Sequence, residues 1–164
     1  MRWVNDQRLY ALTGATLRVP VRNEVGDIVF EVQNVQKVVT KEATVSDLIL
    51  ELILGFPTQS IKIQDTVHGA RLYSQILRSI AEAETEGLLT LEDAEWDWVI
   101  QKLEDPTLGP QMLGMNLVPV KGRLKDLEIE GARIHIEEIE ALKVAKKTVA
   151  SEQQLAAGGR VSNP

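Results

Sequence analysis

Alternating and β-branched positions dominate the first quarter of the chain. Residues 16–22 alternate apolar and polar side chains, and residues 28–40 are rich in β-branched residues, both of which are typical of strands. Gly26 lies in a polar turn between them and can take a positive φ. The pattern predicts a β-hairpin over 16–40, with Pro20 placing its first strand at a sheet edge.

From residue 44 the apolar spacing becomes helical. Residues 45–56 are apolar nearly all round, so this helix is expected to be central or to lie in an interface. A second helix is predicted from Asp65 to about Glu86, and a third over 91–104, before Asp105-Pro106. The second helix has an apolar stripe formed by Gly69, Tyr73, Ile76, Leu77, Ile80 and Ala83.

The last third of the chain gives weaker patterns. Residues 109–129 indicate a short helix, a break near Pro119 and a basic amphipathic turn. Residues 131–149 fit both the strand and the helix period, and we expect a strand first and a helix later. The polar segment 150–164 is expected to be a disordered tail unless a partner orders it.

Together these elements predict an α+β fold in one globular domain over 1–149. An N-terminal β-hairpin precedes a small helical bundle at 44–129, and a strand/helix extension at 131–149 leads to the flexible tail. A chain of 164 residues with 44% hydrophobic residues is long and apolar enough to bury a core.

Two tryptophans stand two residues apart in the third predicted helix. Positions i and i+2 of a helix point about 200° apart, so Trp96 and Trp98 cannot share one core face. Trp96 belongs to the core stripe, whereas Trp98 falls with Leu91 and Ala94 on the other side. Either the hairpin or residues 110–149 cover that side, or Trp98 anchors a partner protein or a second copy.

Charge is distributed unevenly along the chain. The net charge of −6 argues against non-specific nucleic-acid binding, which needs a basic surface. Residues 82–105 hold nine acids and one base, whereas residues 1–22 hold four arginines and one aspartate. A charge run is usually a solvated face, but this asymmetry also suits pairing between elements or between subunits.

Basic residues give further candidates for protein contacts. Lys121, Arg123 and Lys125 lack interleaved aromatic residues, so they are weak nucleic-acid sites and better complements to an acidic face of another subunit. The lysines at 143, 146 and 147 also lack interleaved aromatic residues, so they too are better complements to an acidic face of another subunit. Trp3, in the basic N-terminal arm, is expected either to dock a partner or to pack against the hairpin.

The sequence offers little catalytic chemistry. It has no cysteine, which excludes disulfides, thiolate catalysis and cysteine-based zinc sites. His68 and His135 are far apart, and His135 with Glu137 would supply only two metal ligands. No phosphate-binding glycine loop is present. We therefore expect no enzyme activity, no cofactor and no metal.

The longest apolar run, at 48–56, is interrupted by Glu51 and is too short to span a bilayer. The first ten residues lack the apolar core of a signal peptide. These two features predict no membrane association and a cytoplasmic protein.

Three segments carry a resemblance to a known group of proteins. TVSDLILELIL (44–54), LYSQILRSI (72–80) and LTLEDAEWDWVIQKLED (89–105) resemble small proteins from the structural and assembly gene blocks of tailed bacteriophages. The resemblance implies a three-helix core and a role in the virion or its assembly, with no catalytic residues.

The sequence therefore predicts a non-enzymatic structural or assembly protein that works through protein–protein contacts, including contacts with copies of itself. It would act in the host cytoplasm or in the virion. Two alternatives stay open: an adaptor that binds one cellular protein, and a small enzyme whose site is built from scattered residues.

Overall fold

The computed structural model describes residues 1–55, 63–83 and 87–161, and the side chains of this part as far as residue 155. The strands are β1 (Arg2–Asn5), β2 (Arg18–Pro20), β3 (Thr40–Glu42) and β4 (Leu88–Leu91). The helices are α1 (Val45–Leu54), α2 (Ile63–Glu82), α3 (Asp93–Glu104), α4 (Leu108–Leu113) and α5 (Leu117–Val161). The α+β fold class is confirmed.

Residues 8–44 form an arm built on rings of backbone hydrogen bonds. Three residues make each ring: the second donates its N–H to the carbonyl of the first, the third donates to the second, and the first donates to the third. From base to tip the rings are Leu9, Leu17 and Ala43, then Val21, Val29 and Val39, then Glu31, Asn34 and Lys37. The first ring is buried, the second is half-buried and the third is largely exposed, so the arm runs outward from the core.

The predicted hairpin over 16–40 is only partly confirmed. β2 and β3 pair antiparallel, with Arg18 opposite Glu42. The long strand expected over 28–40 is wrong. Before Thr40 this segment has only isolated bridges, such as the one between Phe30 and Val38. The chain doubles back here, and the Oδ1 atom of Asn34 accepts the N–H of Gln36 at 3.2 Å in the turn. β-branched composition favours extended backbone but does not show where it reverses.

Helix α1 confirms the helix predicted over 45–56. Asp47 Oδ2 accepts the backbone N–H of Thr44 at 3.1 Å at the helix start. Gly55 caps the other end by donating its N–H to the carbonyl of Glu51. Leu48, Ile49 and Leu52 are buried, so the helix is central, as its nearly all-apolar surface indicates.

An ion pair ties the arm to α1. Arg22 Nε donates to Glu51 Oε2 at 3.0 Å and Arg22 Nη2 donates to Glu51 Oε1, and both side chains are 17% exposed. The Glu51 hydrogen bonds raise the pKa of Arg22 above its ordinary value, so the guanidinium stays charged. We expect Arg22→Ala to lower the free energy of unfolding by about 1–2 kcal/mol in urea denaturation, because a charge-assisted bidentate pair is lost.

Arg133→Ala is the matched control for that change. Arg133 makes an exposed pair with Glu137 within one helix, Nη1 to Oε1 at 2.9 Å. Its loss should cost less than about 0.5 kcal/mol, because such pairs are screened by solvent. Equal effects of the two substitutions would show that the Arg22 pair does not hold the arm.

The N-terminal residues form a strand at the centre of the fold. β1 pairs antiparallel with β4, and Trp3 lies opposite Thr90. Helix α5 crosses this two-stranded ribbon at Gly131, where an added Cβ would lie 2.3 Å from the carbonyl oxygen of Trp3. Arg2 bonds Glu128 of α5 at 2.9 Å and pairs with Asp93 at the start of α3. Arg2 therefore forms ion pairs with acidic side chains of α3 and α5, which agrees with the pairing between elements that the uneven charge distribution indicates.

The C-terminal third is one long helix, which corrects two predictions. The strand expected at the start of 131–149 is wrong, since this segment lies within α5. The tail expected to be disordered from residue 150 continues the same helix to Val161. The predicted break near Pro119 lies earlier, in a 3-10 turn at Gly114–Asn116 where Gly114 has φ +55°. Pro119 falls in the first turn of α5, where its missing N–H costs nothing.

The stripe predicted on the second helix is partly wrong. Helix α2 buries a face of small and apolar residues, Gly69, Leu72, Ile76 and Ser79. Tyr73, Leu77 and Ile80 lie beside this face and are exposed. Ser79 bonds the β4 backbone by accepting the N–H of Thr90 at 2.9 Å, which fixes this face against the strand. The connection predicted at 57–64 lies outside the described residues as far as residue 62, and its last two residues belong to α2, which begins at Ile63. The predicted helix end at Glu86 also lies outside the described residues.

Candidate functional site

The structure covers Trp98 with its own chain. The indole is 6% exposed, and its Nε1–H donates to Asp65 Oδ1 on α2 at 3.0 Å. The His68 ring lies 6.2 Å away between centroids. The interpretation that the same chain covers Trp98 is therefore confirmed, and the residues in contact with the indole include Asp65 and His68 of α2, an element that the prediction did not name. In this structure the indole offers no surface to a partner.

The patch predicted around Trp98 does not form. Leu91 is 1% exposed, because β4 is covered by β1 and the helices. Ala94 is exposed and does not share a surface with the two buried residues. Sequence reasoning assigned these three residues to one side of α3 but could not place β1 and α2 on that side.

The other predicted contact residues lie at the base of α5. Trp3 stacks on His135 at a centroid distance of 3.8 Å and an interplanar angle of 10°, so it packs on α5 and not on the hairpin. Lys121 pairs with Glu104 at 3.5 Å, and the Arg123 guanidinium lies 5.9 Å from the Tyr10 ring centroid. Lys125 is exposed. Partner binding by these residues stays a prediction.

A polar cluster joins α2 to α3 beside Trp98. Glu95 is only 2% exposed and lies 3.4 Å from His68 Nδ1 and 3.7 Å from Arg71 Nη1. Lys102 pairs with Asp65 at 2.7 Å. Burying these charges is tolerated because each lies near an opposite or titratable group. The Glu95 carboxylate is closed to solvent and lies between the two helices, so the cluster joins α2 to α3.

An open cleft of about 400 Å³ lies where α5 leaves the body. Its walls include the Trp3–His135 stack, Arg78 of α2 and Glu138 of α5. Glu138 Oε1 is buried and has no hydrogen-bond partner. In the described part of the chain, no three His, Cys, Asp or Glu side chains are grouped to hold a metal ion.

An apolar face of α2 is uncovered. Tyr73, Leu77 and Ile80 are 40%, 50% and 58% exposed. They follow helical spacings of four and three and form a continuous strip along one edge of the buried face. Ser79 distinguishes the buried face, because its hydroxyl donates to the Leu88 carbonyl and accepts the N–H of Thr90 on β4.

The second uncovered surface is the far part of α5, from residue 139 onward. Each residue from 139 to 155 is exposed, and Leu142 and Val149 are 49% and 52% exposed. This part of the helix therefore projects from the body. Sequence reasoning missed the surface because it placed a helix here only in part.

Comparison of the chain with protein-family models, with curated proteins and with solved structures found no match. Among the described helices, none combines the length and the apolar character that crossing a membrane requires.

Proposed function

We propose that this protein is a non-enzymatic structural or assembly protein that acts through protein–protein contacts. The observation that carries the proposal is the uncovered apolar face of α2. Contiguous exposed apolar surface is typical of sites for protein association. Aromatic and aliphatic side chains at spacings of three and four form the kind of surface against which another helix packs.

The resemblance of the helical segments to small tailed-bacteriophage proteins supports a narrower proposal. The protein would be a component of a phage head or tail, or a factor in its assembly. It would work in the host cytoplasm or within the virion, and its partners would be proteins, including further copies of itself. The exposed surface of α2 agrees with such a role, because repeated contacts between copies build particles.

Light scattering after size-exclusion chromatography tests the proposal. At rising concentration we expect a mass above the 18.2 kDa of one chain. Leu77→Glu should lower that mass without loss of helical circular dichroism, because a charge would be desolvated in the contact. The matched control is Gln64→Glu, which adds the same charge at an exposed α2 position on another side of the helix and should leave the mass unchanged.

A single-chain mass at every concentration would contradict the assembly role and favour an adaptor that binds one cellular protein. Equal loss of mass in both variants would show that added negative charge, and not the apolar face, disrupts the association.

A further inference from the structure

The outer surface of α2 has an uncharged seam. At about 100° per residue, Ala70, Ser74, Leu77 and Ala81 lie within about 60° of one another around the helix, and all four are exposed. Ser79, whose hydroxyl bonds the β4 backbone, lies on the opposite side of the helix. A second helix that packs on the seam therefore lies on the side of α2 away from the β1–β4 ribbon. The small side chains of the seam let two helix axes come close together.

An apolar pair and an ionic pair lie on the two sides of this seam. Tyr73 and Ile80 lie on one side and are 40% and 58% exposed. Arg71 and Glu82 lie on the other side and are exposed. Both pairs are centred on the same point of the helix, midway between residues 76 and 77.

The Arg71 guanidinium is accessible to a further acid. Its Nη1 atom lies 3.7 Å from Glu95 Oε1, and the Arg71 side chain is still 64% exposed. An acidic side chain from outside the body can therefore reach it.

This surface is complementary to itself under a twofold rotation. Where a twofold axis relates two antiparallel helices, residues equally distant from the axis lie level with each other, and the same side of both helices meets. An axis level with residues 76 and 77 would place Tyr73 of each copy beside Ile80 of the second copy. The same axis would place Arg71 of each copy beside Glu82 of the second copy, so an apolar contact and an ion pair would each form twice.

A parallel copy does not have this complementarity. Parallel helices set opposite sides against each other, so the ionic side of one α2 would meet the apolar side of the second α2. Arg71 and Glu82 would then face Tyr73 and Ile80, and burial against apolar side chains would take the charges from water without a partner.

We infer that a second copy of this chain packs antiparallel on α2, about a twofold axis level with residues 76 and 77. The inference rests on the proposed function and deepens it, because it names one partner, one orientation and the residues that meet.

Sedimentation equilibrium of the full chain tests the ionic contact. Glu82→Arg should raise the dissociation constant of the dimer about tenfold, because two ion pairs become two repulsions between arginines. Glu24→Arg is the matched control: it makes the same change at an exposed acid of the arm, away from α2, and should leave the constant unchanged.

The double variant Arg71→Glu, Glu82→Arg restores the pair with its charges exchanged. Its dissociation constant should return to within about threefold of that of the unchanged chain. Urea denaturation checks that it folds, since Arg71 also lies near Glu95. A folded double variant that associates as weakly as Glu82→Arg would overturn the pairing of these two residues.

Disulfide formation tests the orientation without changing any charge, because the chain has no cysteine of its own. Leu77→Cys should form a covalent dimer under mild oxidation, since its two copies would lie about 1.5 Å apart along the helices. Ala70→Cys is the control in the same seam. Its two copies would lie about 20 Å apart, beyond disulfide reach. Covalent dimers of both variants would overturn the antiparallel arrangement.

The two proposals fail in different ways. An association that Glu82→Arg leaves unchanged, with no covalent dimer of Leu77→Cys, would overturn this arrangement and leave the assembly role standing. A chain that stays single at all concentrations would overturn both.

Discussion

Gly131→Ala is expected to lower the free energy of unfolding by about 3 kcal/mol or more in urea denaturation. The new Cβ would lie 2.3 Å from the Trp3 carbonyl oxygen and 2.7 Å from the Val4 Cα. These are backbone atoms of β1, which is held in register by its pairing with β4, so they cannot turn aside as a side chain would. Either α5 moves off the ribbon or the ribbon distorts.

Gly122→Ala is the control on the same helix. A Cβ at this position meets nothing within 4 Å. Alanine is the better helix former, so this substitution should stabilise the protein by up to about 1 kcal/mol. If both substitutions shifted stability in the same favourable direction, α5 would not contact β1 as closely as the structure shows.

Trp98→Ala should destabilise the protein by about 3–5 kcal/mol, because it empties a buried site of indole size between α2 and α3. It also removes the N–H that donates to Asp65. Denaturation measures the loss of stability. Light scattering of the folded fraction should give the same mass as for the unchanged chain, because Trp98 is a core residue.

Trp98→Phe separates packing from the hydrogen bond. It keeps an aromatic ring at the site but lacks the indole N–H, so we expect a smaller loss, about 1–2 kcal/mol. If Trp98→Ala instead kept its stability but had a lower mass in light scattering, Trp98 would be a partner anchor. The burial of the indole argues against that interpretation.

Local patterns were sufficient for elements whose ends are marked by caps and breakers. Helix α1 begins with Thr44 and Asp47 and ends at Gly55, all of which are readable from neighbours in sequence. Helix α3 ends before Pro106 as predicted, and its Trp96 stripe is buried as expected. Its start at residue 91 was wrong, because Leu88–Leu91 pair with β1 as strand β4 and the helix begins at Asp93. Such signals act within one or two helical turns, which is why they need no knowledge of the rest of the chain.

The surfaces that carry the proposed function were harder to predict. Helix α2 has apolar residues on both its buried and its exposed face, so periodicity alone selected Tyr73, Leu77 and Ile80 together with Ile76 as one stripe. Which face packs depends on where β4 lies, because Ser79 bonds the β4 backbone at Leu88 and Thr90. In the same way, helical periodicity correctly placed Trp98 off the core stripe of α3, but it did not show that α2 packs against the indole.

The sequence by itself determined the α+β class, the central α1, the core face of α3 and the acidic, cysteine-free composition, because these depend on local spacing and on counts. Only the tertiary structure decided that β1 pairs with β4, that the arm closes in hydrogen-bonded rings and that α5 runs unbroken past the body. Those features depend on contacts between residues far apart in the chain, and such contacts select among local conformations of similar free energy. They also determine which apolar surfaces are left for a partner.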